Sequence, residues 1–379
     1  MRRFEPTSRA LKLLLVTLCL LTIAATLSAG LWPFSFHVDN EISWKAGQKG
    51  LYFGDYGMLI SKGEFNGIPD NQGNGYSVEI WLEPSLTWDS NTILTFYQRD
   101  NAQRISVHQS GDDLVLAEFP VFRKAQMKPK SFFVDHIFRK GEQVLITLTS
   151  IEGQSDIYVN GVLKKTLKNF ELTGQDFSGI LVLGTSPFGT ATWSGTFRGL
   201  AFYDRALGSE EVKQNYAYWQ NDRQQSTVQF KQPYSLYLFD EQGGDILYNR
   251  GRGGPDLMIP KYFFIFHPEF LTPFWKEFQP HWNYLKDVAL NIFGFIPLGF
   301  CFAALFAWLG GGGRTLVYTM VLGFFVSLTI EVLQAFMPMR FSGTTDLITN
   351  TSGTALGALF YLNRHTQVLV KQLGLIRAD

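Results

Sequence analysis

Near the C-terminal end of the chain, apolar stretches contain residues able to move protons, hold a phosphate or bind hydroxyls. Ser327, Glu331 and Gln334 are spaced four and three apart, so a helix lines them up as one polar stripe. Asp346 and Asn350 share a helical face with Gly353 and Gly357, and Asp287 shares another with Asn291. A charged group at membrane depth is costly enough to be a functional-site candidate by default. Glu331 is such a group, about five residues, or ~7 Å, from the end of its helix. Arg340 is the cation placed to neutralise Glu331 or Asp346. Three readings follow. Glu331 or Asp346 acts as a general base while Arg340 holds a phosphate; Asp287, Asn291, Gln334, Arg340 and Asn350 bind a ligand without catalysis; or these groups only bond helices together, with Gly353-x-x-x-Gly357 as a close-packing pattern. No Ser-His pair, His-spaced metal cluster or glycine-rich phosphate loop accompanies them, so neither a metal nor a cofactor is implied.

The elements that must position these residues are apolar runs at 288–309, 315–336 and, shorter and more polar, 347–362. A fourth run at 13–31 carries no charge, and Arg2, Arg3, Arg9 and Lys12 precede it. It reads as a membrane anchor. A cleaved signal peptide is the rival, but Leu27-Ser28-Ala29 is a poor small-x-small site and the apolar core is too long. Arg314 lies between the runs at 288–309 and 315–336, and Arg364, Lys371 and Arg377 follow the run at 347–362, so the positive-inside rule gives four spans with both termini cytoplasmic. That places the 1–12 and 363–379 tails inside and 33–286 outside, a multi-pass protein of the cell (inner) membrane in contact with its lipids. Pro297 is expected to kink its helix. His267 and His281, near Trp275, Trp282 and Tyr284, fit an interfacial aromatic belt.

The region between is strand-like. Val78, Ile80 and Leu82 alternate with Ser77, Glu79 and Trp81, and similar runs recur to Val159. Asn160-Gly161 then supplies a hairpin signal, because a type I′ turn needs φ > 0 at both central positions. Many short strands without a long helix between them argue for a β-sandwich. The two cysteines, Cys19 and Cys301, both lie in apolar runs, so the sandwich has no disulfide. Lys plus Arg balances Asp plus Glu at 33 each, and no basic run carries interleaved aromatics, which excludes a nucleic-acid partner.

The segments Gly50-Leu51-Tyr52-Phe53-Gly54, Tyr76 to Pro84, Ile157-Tyr158-Val159-Asn160-Gly161 and Trp193 to Leu207, ending in Tyr203-Asp204-Arg205-Ala206-Leu207, resemble a laminin-G-like, concanavalin A-type jelly roll over 40–222. Glycosidases on that fold use a Glu-x-Asp-x-x-Glu strand, which is absent, so the resemblance implies a binding or structural module. Residues 223–286 then form a connector. Within it, 235–239 resembles an opening strand displaced to the far end, and is expected to return and pair with the sandwich. Over 287–362, Asp287, Asn291, Phe295-Ile296-Pro297-Leu298-Gly299, Glu331-Val332-Leu333-Gln334, Pro338, Arg340, Asp346 to Asn350, Gly353 and Gly357 resemble the VanZ-like family, whose best-known member is associated with low-level teicoplanin resistance. That family's first helix corresponds to 13–32, making the jelly roll an insertion. The expected fold is thus an all-β jelly roll plus four transmembrane helices, one N-terminal and three C-terminal. The expected function is non-catalytic binding of a cell-surface glycan or lipid-linked precursor, linked to glycopeptide resistance or envelope polysaccharide. The alternatives are an enzyme on an outer-leaflet lipid-linked substrate and a scaffold for a protein partner.

The cation distribution makes a direct prediction about topology. A cysteine introduced at position 160 should react with an impermeant external reagent, and one at 314 should be protected; the opposite pattern would reverse the orientation.

Overall fold

The computed structural model describes residues 8–71, 73–87, 90–98, 103–118, 130–187, 192–220, 233–266, 270–278, 282–338, 340 and 342–372. Two units emerge, His37–His267 on one hand and Met1–Phe36 with Pro268–Asp379 on the other.

In the first unit the strand Tyr76–Pro84 is central. It turns Val78, Ile80 and Leu82 into the core between two antiparallel sheets. Trp81, on its other face, joins a second apolar cluster under the helix α2, Ser209–Gln220, with Val212 and Trp219. Both faces of this strand are therefore dry. Its sheet runs Val162–Lys168, Gln154–Val159, Val144–Ile151, Tyr76–Pro84, Gly195–Tyr203, Leu51–Phe53, Ile42–Trp44. The opposing sheet runs Lys130–Val134, Asp113–Glu118, Gln103–Ser110, Ser90–Tyr97, Ser178–Leu183, Leu59–Ser61, Leu257–Met258, Ile246–Leu247. Phe96, Phe177 and Phe202 meet between the sheets with ring centroids 5.6–5.7 Å apart, a spacing worth ~0.5–1.5 kcal/mol per pair beyond area burial. Asn160 and Gly161 take φ of 50° and 78° in the hairpin between Gln154–Val159 and Val162–Lys168.

Ser235–Tyr237 pairs antiparallel with Gly195–Tyr203, setting Tyr237, Leu236 and Ser235 opposite Leu200, Ala201 and Phe202. Leu51–Phe53 takes the other end of the same strand, so two short strands share an edge that would otherwise present bare amides. Leu257–Met258 and Ile246–Leu247 extend the opposing sheet, and Tyr262–Phe263 pairs with Val38–Asp39. The unit that holds the sandwich runs to 267, and four short strands within 235–263 supply its sheet edges.

The second unit holds α1 (Ser8–Leu31), α3 (Phe274–Glu277), α4 (Trp282–Trp308), α5 (Thr315–Gln334), α6 (Thr344–Leu362) and α7 (Arg364–Gln372). The helical stretches Lys12–Leu31, Tyr284–Trp308 and Gly312–Gln334 are long and apolar enough to cross a membrane. The fourth helix, α6, is more polar, and it buries Thr345, Thr349, Asn350 and Thr354 within the bundle. Its approach to α4 is backbone to backbone: a Cβ on Gly353 would lie 2.2 Å from the Ile292 carbonyl, and one on Gly357 would lie 2.1 Å from that of Ile296. Pro297 lies inside α4 without ending it. Helix α7 begins where the sequence suggests only a tail; the Asn363 side chain accepts the His365 N–H at 2.9 Å, an N-cap that starts a new helix at once.

Glu79 is fully buried under α2 and accepts hydrogen bonds from the Tyr203 hydroxyl (2.8 Å), Asn215 Nδ2 (3.0 Å) and Trp219 Nε1 (3.0 Å). Burial raises its pKa above the usual carboxylate range despite those three donors. The native state therefore holds a proton longer than the unfolded chain as pH rises. Its contribution to stability is full below the unfolded pKa of about 4.3 and declines as pH rises through the folded value. Comparing thermal unfolding of the wild type with Glu79→Gln across pH 4 to 8 should show the wild type losing stability relative to the variant as pH rises. Parallel curves would refute the buried protonation.

Candidate functional site

The site is built around the start of α6. The first amides of a helix have no acceptor within it, and the helix dipole favours negative charge there. Glu331 Oε2, near the end of α5, accepts the Gly343 N–H at 2.8 Å. Glu277 Oε2, on α3, accepts the Thr345 N–H at 3.0 Å and also the Thr345 hydroxyl. Gly343 makes this approach achievable, since a Cβ there would lie 1.7 Å from Glu277 Oε1. Backbone pairing of Thr272 with Ser342 and Thr344 at 2.9 Å ties the segment before α3 to the same turn.

Beside this turn opens a cleft of about 470 Å³. Glu277, Asp287, Asn291, Gln334, Arg340 and Asp346, with the hydroxyls of Tyr284 and Thr345, supply its polar lining; Ala29, Gly30, Val288 and Leu290 supply the rest. Asn291 Nδ2 donates to Asp346 Oδ1 at 2.7 Å, joining α4 to α6. Gln334 Nε2 donates to the Gly30 carbonyl at 2.8 Å, joining α5 to α1. Five of the residues singled out from the sequence, Asp287, Asn291, Gln334, Arg340 and Asp346, line this one cleft. Two do not: Glu331 is 1% exposed behind it, and Asn350, 4% exposed, donates to Ser327 Oγ at 3.0 Å one turn further along α6. The hydrogen bond made by Arg340 goes to the Trp32 carbonyl rather than to Glu331 or Asp346, because the end of α1 presents that oxygen to the same short loop.

Glu277 is the residue that sequence reasoning missed. It lies in a stretch read as connector, and the one usable signal was Pro273 ahead of Phe274-Trp275-Lys276-Glu277, a helix-start pattern only four residues long. His267 and His281 lie outside the described residues. Replacing Glu277 by Ala should lower the stability of the detergent-solubilised protein by about 1 kcal/mol, the usual worth of an N-terminal cap, with Glu277→Gln losing less because it keeps an acceptor oxygen. Equal melting temperatures for Glu277→Ala and wild type would show that the contact does not support α6.

The sandwich has a surface cleft of its own, about 610 Å³, lined by Glu64, Phe65, Asn66, Gln98, Gln175 and Ser178. Planar amides and a carboxylate in one cleft suit ligands rich in hydroxyl groups. Elsewhere on the sandwich Asp112, Asp113 and His136 bring ligand-type atoms within 4.8 Å of one another. They are already engaged: His136 Nδ1 lies 2.6 Å from Asp112 Oδ2, and its backbone N–H donates to Asp113 at 2.9 Å.

Residues 217–368 match the VanZ/LLP1 family model, and residues 62–213 match that of the concanavalin A-like lectin/glucanases superfamily. No curated protein matches the chain. Among solved structures, similar ones include a carbohydrate binding protein, so described provisionally, from Bacteroides ovatus (15% identity, 56% of this chain and 58% of that one, TM-score 0.40). Others are a native heptameric SAP-like pentraxin from Limulus polyphemus (15%, 57% and 93%, TM-score 0.36) and the botulinum neurotoxin serotype D ligand binding domain (18%, 48% and 45%, TM-score 0.35). The chain spans less than half the length of the two HCR/D mutant structures that it also resembles. The helix α1 shares a unit with α4, α5 and α6, and the sandwich occupies the chain between them. The chain therefore combines a region that matches the VanZ/LLP1 family model, 217–368, with one that matches the concanavalin A-like superfamily, 62–213, alongside an N-terminal apolar helix.

Proposed function

We propose that this protein is a non-catalytic, multi-pass component of the cell envelope, in the inner membrane where a cell has two. It binds a lipid-linked or glycan-bearing surface molecule, with the jelly roll held outside the cytoplasm to add recognition. The observation that carries this reading is the divided lining of the membrane-unit cleft, carboxylates and amides beside Ala29, Val288 and Leu290. A wall of that kind suits an amphiphile, and the volume lies within the usual range for small-molecule sites of ~300–1,000 Å³. Glu331 and Glu277 are committed to amides at the start of α6, which favours a fixed binding surface over proton transfer. The amide-lined cleft of the sandwich supports recognition of hydroxyl-rich ligands, and the cations at Arg314 and Arg364 support the orientation. Occupying a surface precursor would screen it from other molecules, which is where a link to glycopeptide resistance would arise.

Asp346 and Arg340 share the cleft, and this favours a second reading in which Asp346 is the general base of an enzyme acting on a lipid-linked phosphate. Native mass spectrometry of the purified full chain, loaded with envelope lipid extract, separates the two. Binding predicts a lipid or glycolipid released intact, with occupancy reduced several-fold in Arg340→Ala. Accumulation of a cleaved product that disappears in Asp346→Asn would establish the enzyme instead, and no retained lipid at all would overturn the binding reading.

A further inference from the structure

Gln334 carries an unmet demand. It is 7% exposed, its Nε2 is pinned to the Gly30 carbonyl, and its Oε1 is buried with no hydrogen-bond partner among the described residues. The amide orientation is fixed by that contact, since exchanging the two atoms would set oxygen against oxygen. A buried acceptor left without a donor is costly, and Gln334 lines the cleft. The rest of the lining has the same bias. Glu277, Asp287 and Asp346 contribute carboxylates against a single guanidinium, that of Arg340. Asp346 Oδ1 takes the Asn291 amide, and its second oxygen adds a further acceptor. One N–H of Asn291 and one of Gln334 are taken up by Asp346 and Gly30.

We propose that the membrane-unit cleft recognises an amphiphile whose head group bears a protonated amine, with the ammonium donating to Gln334 Oε1 and set among the carboxylates of Glu277, Asp287 and Asp346. An ammonium offers three donors and no acceptor, the complement of an acceptor-rich wall. Arg340, at the exposed side of the cleft, stands where a phosphate attached to that amine would be neutralised. Ala29, Val288 and Leu290 then meet the apolar part of the ligand. This inference rests on the binding reading above and names its ligand class.

The test uses the purified full chain in a detergent that carries no amine, titrated with lysophosphatidylethanolamine, its N-acetyl derivative and dodecylamine. Saturable binding of lysophosphatidylethanolamine, weakened at least tenfold by N-acetylation, is expected. Dodecylamine should bind less tightly than the phospholipid but still measurably, which assigns recognition to the amine and the increment to the phosphate. Gln334→Leu should abolish the preference for the free amine. Because that change also removes the bond to Gly30, Asp287→Asn at an exposed position serves as the second variant and should weaken the free amine several-fold while leaving the N-acetyl derivative unchanged. Equal binding of the free and acetylated forms would overturn the inference and leave amphiphile binding intact. No saturable binding of any of the three would overturn both.

Discussion

At the start of α6, backbone amides point out of the helix with no partner inside it. Satisfying them draws in two carboxylates from opposite sides, Glu331 from α5 and Glu277 from α3. Gly343 is the hinge of that arrangement, since only a residue without a Cβ leaves room for Glu277 to reach over it. With α6 fixed, Asp346 and Asn350 in its first two turns are aimed at Asn291 on α4 and Ser327 on α5. The polar residues of the membrane unit are thus largely spent on one another. What remains unspent, the Gln334 oxygen above all, gives the cleft its chemical character.

The same logic recurs in the sandwich with a different outcome. Glu79 is buried in a sheet face that α2 must cover, and its two oxygens collect donors from the sheet and from the helix. A single carboxylate there fastens a closing helix to a sheet and leaves no opening for a ligand. In both units a buried acid is tolerated because donors converge on it, as a low dielectric demands. The distinction between fastening and binding lies in whether a cavity adjoins the acid. One adjoins the start of α6, lined by Glu277 and Asp346.

The packing of α4 on α6 shows why small residues stand where they do. Without a hydrophobic force between helices in lipid, close backbone approach and interhelical hydrogen bonds must supply the attraction. Gly299, Gly353 and Gly357 provide that approach, each leaving no room for a side chain against the carbonyl of the opposite helix. Asn291 and Asp346 then sit close enough to bond directly. The glycines and the polar pair form one device: the first sets the distance at which the second can act.

Much of this was written locally in the sequence. The apolar runs at 13–31, 288–309 and 315–336 announced their helices because length and lack of charge decide whether a segment can cross a membrane. The period-2 pattern around Val78, Ile80 and Leu82, and the Asn160-Gly161 turn, announced the sandwich because strand pleat and φ > 0 are properties of a few adjacent residues. The spacing of Ser327, Glu331 and Gln334 fixed their common stripe, since helical phase needs no partner to be read. Tertiary structure alone decided the rest. Which side chain ends up opposite which is settled by chain segments far apart: Glu277 reaches Thr345 across 68 positions, and Arg340 reaches Trp32 across 308. The charge of Arg340 is visible in a sequence, whereas the backbone oxygen it meets at the end of α1 is not. Leu257–Met258 and Tyr262–Phe263 were too short to show a period, and became strands only because existing sheet edges offered them partners.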